Sequence, residues 1–175
     1  MDIAKTYKIC PRCGNRFKQK STHLQCQSCG LSLYLNPKPT TTVVMVNKSG
    51  EYLLVERAVE PAKGYWDFPG GFVEENEIFE ENARREMKEE LGIELGKLTY
   101  IGSITAPYLF QGVIYPALSV IFITELLKGT TLKPDDDVAS YAMFAPDKLP
   151  LDKLAFPEIK NTLELVAKYL KNHKI

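Results

Sequence analysis

The chain has 175 residues, 45% hydrophobic and 25% charged, with 22 basic residues balancing 22 acidic ones; this is the composition of a soluble globular protein with room for one ordinary domain and a small appendage. No apolar run approaches the roughly 20 residues needed to cross a bilayer, and the opening MDIAKTYKIC lacks the apolar core of a signal peptide. A cytoplasmic location without a membrane partner is therefore expected.

The charge is unevenly placed. Residues 1–39 hold seven of the Lys and Arg but a single acid, Asp2. A basic front of this kind suits a nucleic acid or an anionic substrate, yet four metal-bound thiolates would cancel part of the charge. A small-molecule partner is expected and nucleic acid is not.

All four cysteines lie in that front, as Cys10-Pro-Arg-Cys13-Gly and Cys26-Gln-Ser-Cys29-Gly. Two C-x2-C knuckles supply the four soft ligands of a tetrahedral Zn²⁺, and the Gly after each lets backbone N–H groups turn toward the thiolates. The pattern resembles a zinc ribbon. A reducing compartment argues against disulfides, and a closed four-Cys site leaves no position for substrate, so this zinc is structural. His23 reads as a surface residue.

Asn36-Pro37-Lys38-Pro39 interrupts regular structure twice. The expected organisation is a ribbon over 1–36, a linker at 37–39 and a second domain over 40–175. That domain opens with a strand at 40–47, a turn at Lys48-Ser49-Gly50 and a strand at 51–57. Alternation puts Leu53 and Val55 on one face and Leu54 and Glu56 on the other.

Residues 60–64 form a loop, after which Pro69-Gly70-Gly71 predicts a tight turn whose carbonyls can approach an ion. Trp66 is read either as a platform for a substrate base or as packing against this turn. Arg57, at a strand end, is a candidate for holding a phosphate, with a surface ion pair as its ordinary alternative.

From Gly71 the sequence runs GFVEENEIFEENARREMKEELGI. Asn76 predicts an N-cap, Glu77, Glu80 and Glu81 a first turn that favours anions, and Gly92 the helix stop. Ile78, Ala83, Met87 and Leu91 trace an apolar stripe. Glu86, Glu89 and Glu90, three and four residues apart, share one face. Three clustered carboxylates repel one another unless a hard divalent cation such as Mg²⁺ or Mn²⁺ joins them.

This stretch resembles the Nudix box, G-x5-E-x7-R-E-U-x-E-E-x-G-U with U aliphatic. Gly71, Glu77, Arg85, Glu86, Glu89, Glu90 and Gly92 fill its fixed positions, Ile93 is the last U, and Met87 stands where Ile, Leu or Val is usual. The resemblance implies an α/β (α+β) fold, a Nudix-type α/β/α sandwich with a mixed sheet preceded by the ribbon. It also implies divalent-metal-dependent hydrolysis of the pyrophosphate bond of a nucleoside diphosphate linked to another moiety, with ADP-ribose or a dinucleotide favoured. The metal ligands it implies are Glu86, Glu89, Glu90 and the Gly71 carbonyl. Glu86 is the implied general base, Arg85 and Glu77 an orienting pair, and a homodimer the family-level expectation. A nucleotide-sensing regulator, or an RNA- or DNA-binding protein gripping through its ribbon around a non-catalytic Nudix fold, is the alternative.

Two further strands are expected at 98–106 and 113–125, with Tyr108, Phe110 and Tyr115 in or beside the loop between them as candidates for base stacking. Asp136 or Asp137 is a candidate further metal ligand. A strand at 138–144 and an amphipathic helix at 157–172, built on Ile159, Leu163, Val166 and Leu170, close the chain. A ribbon joined to such a domain resembles the NADH pyrophosphatase architecture. That subgroup's Ser-Gln-Pro-Trp-Pro-Phe-type run is replaced here by Gly102-Ser-Ile-Thr-Ala-Pro-Tyr108.

Overall fold

The computed structural model describes residues 3–173. They form two compact units: residues 3–38 with 106–117, and residues 39–105 with 118–173.

The first unit opens with a single helical turn, α1 (Ile3–Thr6), and contains the three-stranded antiparallel sheet β1 (Phe17–Gln19), β2 (His23–Cys26) and β3 (Ser32–Tyr34). Its registers pair Phe17 with Cys26 and His23 with Tyr34. Leu24 and Cys26 are buried, while Lys18 and Tyr34 are exposed. A sheet this small has little apolar area to bury, and its cysteines take over the task of holding it.

The second unit is built on a sheet in which β4 (Lys38–Val46), β5 (Tyr52–Arg57), β6 (Trp66–Asp67), β7 (Thr99–Phe110) and β8 (Val113–Glu125) run in the order β6-β5-β4-β8-β7, and β9 (Val138–Phe144) pairs with β5; Lys38 of β4 and the 106–117 stretch of β7 and β8 count with the first unit. Alternating side chains send Val43, Met45, Leu53 and Val55 to one face, where Ala83, Met87 and Leu91 of α2 (Phe79–Leu91) cover them. Val44, Val46, Tyr52 and Leu54 face the other way, under Ile159 and Val166 of α3 (Ile159–Asn172). The result is the expected α+β sandwich. Both faces of β4 and β5 are core, which is why their sequences read as nearly continuous apolar runs.

Four local expectations change. The break comes earlier than foreseen: residues 35–37 lie outside regular structure, but β4 already begins at Lys38; Pro39 lacks a donor, but its carbonyl accepts from Val73 N at 3.0 Å, so a strand start tolerates it. Pro69-Gly70-Gly71 is an extended segment beside β4, with Thr41 N donating to Gly71 O and Val43 N to Pro69 O, both at 2.9 Å. Helix α2 is capped at Ile78, whose N–H is taken by the Glu81 carboxylate at 3.2 Å, and Asn76 sits in a turn at φ 67°. As the cap, Ile78 precedes the apolar stripe and is exposed. Finally, no aromatic loop separates β7 from β8. Gln111 (φ 49°) and Gly112 (φ 77°) form a two-residue turn with both centres left-handed, which leaves Tyr108 and Phe110 on the strand itself.

Candidate active site

Helix α2 carries the carboxylates along one side, and the extended 69–73 segment passes in front of them. In the folded chain, a Cβ on Gly71 would lie within 2.6 Å of the Glu86 carboxyl carbon, so glycine lets the backbone approach this carboxylate without pushing it aside. Gly70 N donates to Glu90 Oε2 at 3.1 Å, tying the same segment to the end of the helix. The loop after α2 anchors the other wall: Lys133 N and Asp135 N donate to the otherwise unpaired carbonyls of Leu91 and Glu90 at 2.9 and 3.0 Å.

These elements enclose a cleft of about 380 Å³ within the second unit. Gly71, Glu86, Glu89 and Glu90 line it together with Arg85, Arg57, Asp67, Asp136 and Asp137. Arg85 is the hub of the acidic wall. Its Nη1 lies 2.9 Å from Glu86 Oε1 and 2.8 Å from Glu89 Oε2, its Nε and Nη2 reach Glu77 at 2.9 and 3.1 Å, and Nη2 also donates to Phe72 O. The Arg85 guanidinium in turn holds the Glu77 carboxyl down at about 2.

Glu86 and Glu90 behave in the opposite way. Burial raises both, and with the negative charge of Glu86 close by, Glu90 is pushed up to about 9. Such a carboxyl is short of positive charge. Among the described residues only the four cysteines bring three or more ligand atoms within 4.8 Å of one another. Glu77, Glu86 and Glu89 instead share Arg85, Glu90 accepts from Gly70 N, and Gly71 O, already bonded to Thr41 N, keeps a second lone pair. The all-oxygen donor set and the charge deficit at Glu90 fit a hard divalent cation, provided the carboxylates turn from arginine toward it.

Glu90 carries a pH prediction. Its folded value lies above the ordinary carboxylate range, so its contribution is intact below the unfolded value and stability falls as pH climbs from about 4.5 to about 9. A cation that needs the ionised form reverses the trend, and its apparent affinity should rise by up to about tenfold per pH unit. Thermal melts with and without Mg²⁺ between pH 5 and 9 will show a growing stabilisation by the ion; a constant gap would remove Glu90 from the ligand set.

The other predicted contacts separate. Arg57 lines the cleft but is held on three sides: Nε donates to Pro61 O at 2.7 Å, Nη1 lies 3.5 Å from Asp67, and the guanidinium sits 5.3 Å over the Phe156 ring. Trp66 is not among the residues lining this cleft and meets Phe144 edge-on at 5.1 Å. Tyr108 and Phe110 belong to the first unit and stack on each other at 6.3 Å. Tyr115 lies there too, 6.0 Å beneath Lys38 Nζ.

Two residues escaped the sequence reading. Asp67 is raised to about 7 by burial, against the pull of Arg57; an acid between Trp66 and Phe68 was its only signal. Asn82 is fully buried on α2. A poor helix former four residues before Glu86 could have drawn attention to it.

In the first unit Cys10 Sγ lies 3.7 Å from Cys29 Sγ and Cys13 Sγ 3.5 Å from Cys26 Sγ. A tetrahedral ion with metal–sulfur bonds of about 2.3 Å requires sulfurs about 3.8 Å apart, so the cluster fits one. The Asn15 backbone N–H and then its side-chain amide lower the Cys13 thiol to about 6, favouring the thiolate a metal needs.

Residues 36–166 match the family described as NUDIX domain. Among curated proteins, the NAD-capped RNA hydrolase NudC of Haemophilus influenzae is 32% identical over 170 residues, covering 92% of this chain and 62% of that protein. The NudC of Pseudomonas aeruginosa is 29% identical over 149 residues, covering 84% and 51%. The chain thus spans about half to three-fifths of the length of these relatives. Of the solved structures, a MutT NUDIX hydrolase from Burkholderia pseudomallei superposes with a TM-score of 0.65 at 26% identity, over 75% of this chain and 98% of that one.

Proposed function

The chain belongs to the Nudix family, and from that premise we propose that it hydrolyses the pyrophosphate bond of a nucleoside diphosphate linked to a second moiety, ADP-linked substrates first. The observation that carries this reading is the convergence of Gly71, Arg85, Glu86, Glu89 and Glu90 on one cleft. Glu86, Glu89, Glu90 and the Gly71 carbonyl would hold Mg²⁺ or Mn²⁺, which supplies positive charge against the diphosphate and makes a nearby water more acidic. Glu86 takes the proton of the attacking water. The water oxygen bonds to one phosphorus, the bridging P–O bond breaks, and a nucleoside monophosphate leaves with the phosphorylated remainder. Arg85, fixed by Glu77, keeps Glu86 and Glu89 side by side and limits their mutual repulsion. Asp136 and Asp137 also line the cleft, and one of them would add a further oxygen donor for the cation.

The four cysteines hold Zn²⁺ in this proposal, which, with their free thiols, goes with a reducing cytoplasm. The ribbon over 1–36 and the catalytic domain over 40–175 are the two functional parts of this proposal, with residues 106–117 of the second counted structurally with the first, and a homodimer is the assembly proposed from the family. Among the described residues no helix is long and apolar enough to cross a membrane.

A second reading widens the substrate. Nucleic acid was not expected, but the relatives named above are NAD-capped RNA hydrolases. One side of the ribbon sheet exposes Lys18 and Tyr34, the Tyr34 ring lying 5.0 Å from His23. Cations beside an aromatic pair suit phosphates and bases of a single strand. ADP-ribose, NADH, diadenosine polyphosphates, ATP and a short RNA with a 5′ NAD cap, each incubated with Mg²⁺ or Mn²⁺, discriminate these readings. Release of AMP, or of an RNA 5′-monophosphate, is expected from at least one ADP-linked compound. A folded protein that cleaves none of them would favour the nucleotide-sensing alternative.

A further inference from the structure

Asn82 sits where none of the box positions explain it. It is wholly buried on α2, beneath the cleft wall, and its side chain reaches four groups from three parts of the chain. Nδ2 lies 2.8 Å from Phe72 O, 3.1 Å from Glu77 Oε2 and 3.4 Å from Glu86 Oε1, while Oδ1 lies 2.5 Å from the hydroxyl of buried Thr41 on β4. The chemistry of these partners fixes which way the amide faces. A carbonyl and two carboxylates only accept hydrogen bonds, so the NH₂ must point at them and the oxygen at Thr41. Thr41 must then donate.

Two amide hydrogens face three acceptors. Phe72 O and Glu77 are the nearer two and can take one each, which leaves Glu86 with a long, shared contact. Glu86 Oε1 can therefore turn away toward a cation without stranding a buried donor, whereas the other two bonds keep the amide in place. Phe72 directly follows Gly71, so the same amide holds the extended segment against the helix at the point where the Gly71 carbonyl and Glu86 meet.

We propose that Asn82, oriented by Thr41, is a positioning residue that pins the Phe72 backbone and Glu77 and sets the resting direction of the Glu86 carboxylate, so that Gly71 O and Glu86 face the same cation. This rests on the reading of Glu86 and Gly71 as ligands given above. A group acting one step behind a metal ligand is expected to change metal affinity by about 10- to 100-fold.

The test is direct Mn²⁺ titration of the full chain without substrate, by calorimetry or electron paramagnetic resonance, alongside kcat and KM at several Mg²⁺ concentrations and a thermal melt of each variant. Asn82→Ala and Asn82→Asp should weaken Mn²⁺ binding by at least tenfold and raise the Mg²⁺ needed for half-maximal rate in proportion, with KM for substrate nearly unchanged at saturating metal. Should either fail to fold, Thr41→Val against Thr41→Ser decides. Valine removes the donor that orients the amide and should show the same metal defect, whereas serine keeps it and should bind Mn²⁺ as the parent does. Wild-type Mn²⁺ affinity in a folded Asn82→Ala or Thr41→Val protein overturns the proposal. If the parent binds Mn²⁺ and the variants lose affinity although no substrate is turned over, the positioning role stands and the hydrolase reading fails.

Discussion

Glu86→Gln is expected to lower kcat by about 10²- to 10⁴-fold, the range associated with losing a positioned proton acceptor, while leaving the fold and the thermal midpoint close to the parent's. The side chain keeps its size, so the close approach at Gly71 is preserved. Arg85 retains Glu77 and Glu89 as partners and is not left as a buried unpaired cation. What disappears is the charge and basicity of a carboxylate that is only 13% exposed and lies between Arg85 and the Gly71 backbone. The measurement is release of AMP under saturating Mg²⁺, with circular dichroism as the control for folding. A variant that keeps most of its activity would move the proton acceptor elsewhere in the cleft, to Glu89 or the Asp136-Asp137 wall.

The second large effect concerns the cysteines. Elemental analysis of purified protein should find about one zinc per chain, and Cys26→Ser should abolish it. Apparent free energies of about 10–16 kcal/mol for structural zinc in small peptides show how much of such a module's order depends on the ion. Cys26 is buried and pairs across the sheet with Phe17, so its loss also alters one of the few buried positions of the ribbon among the described residues. Chromophoric chelators should release the metal only after thiol modification, with loss of ordered signals from residues 8–34 in a nuclear magnetic resonance spectrum. Zinc-free protein with two disulfides would refute the assignment.

Much of this was legible in the residues, and unevenly so. The box helix announced itself because Ala83, Met87 and Leu91 repeat at helical period while the glutamates occupy another side, two signals that agree. Helix α3 was read close to its true limits for the same reason, having one dominant period, and β9 was read at its limits. Misreadings fell where the backbone overrides side-chain preference. Asn76 looks like a cap, yet Ile78 is the cap because the Glu81 carboxylate serves its N–H. The aromatic residues after the box were placed in a loop between two strands; a Gln-Gly turn is a weak hairpin signal beside Asn-Gly. Trp66 was ambiguous by nature, since stacking on a base and packing edge-on against Phe144 ask for the same ring.

Asn82 shows a different limit. Its partners lie 5, 4, 10 and 41 residues away, and only the two on its own helix approach can be inferred from spacing. A site built from one helix is readable; the support behind it, drawn from β4 and the 69–73 segment, needs the fold.

The make-up of the first unit bears on the order in which the chain can mature. Its cysteines are all synthesised by residue 29, but residues 106–117 belong to the same unit and follow the whole of α2. During synthesis the thiolates can therefore gather early, whereas the unit is complete only when the β7–β8 tip has emerged. A ribosome stalled between α2 and β7 should display a metal-loaded but unfinished ribbon, and cutting the gene at residue 38 would divide one unit between two fragments instead of separating two.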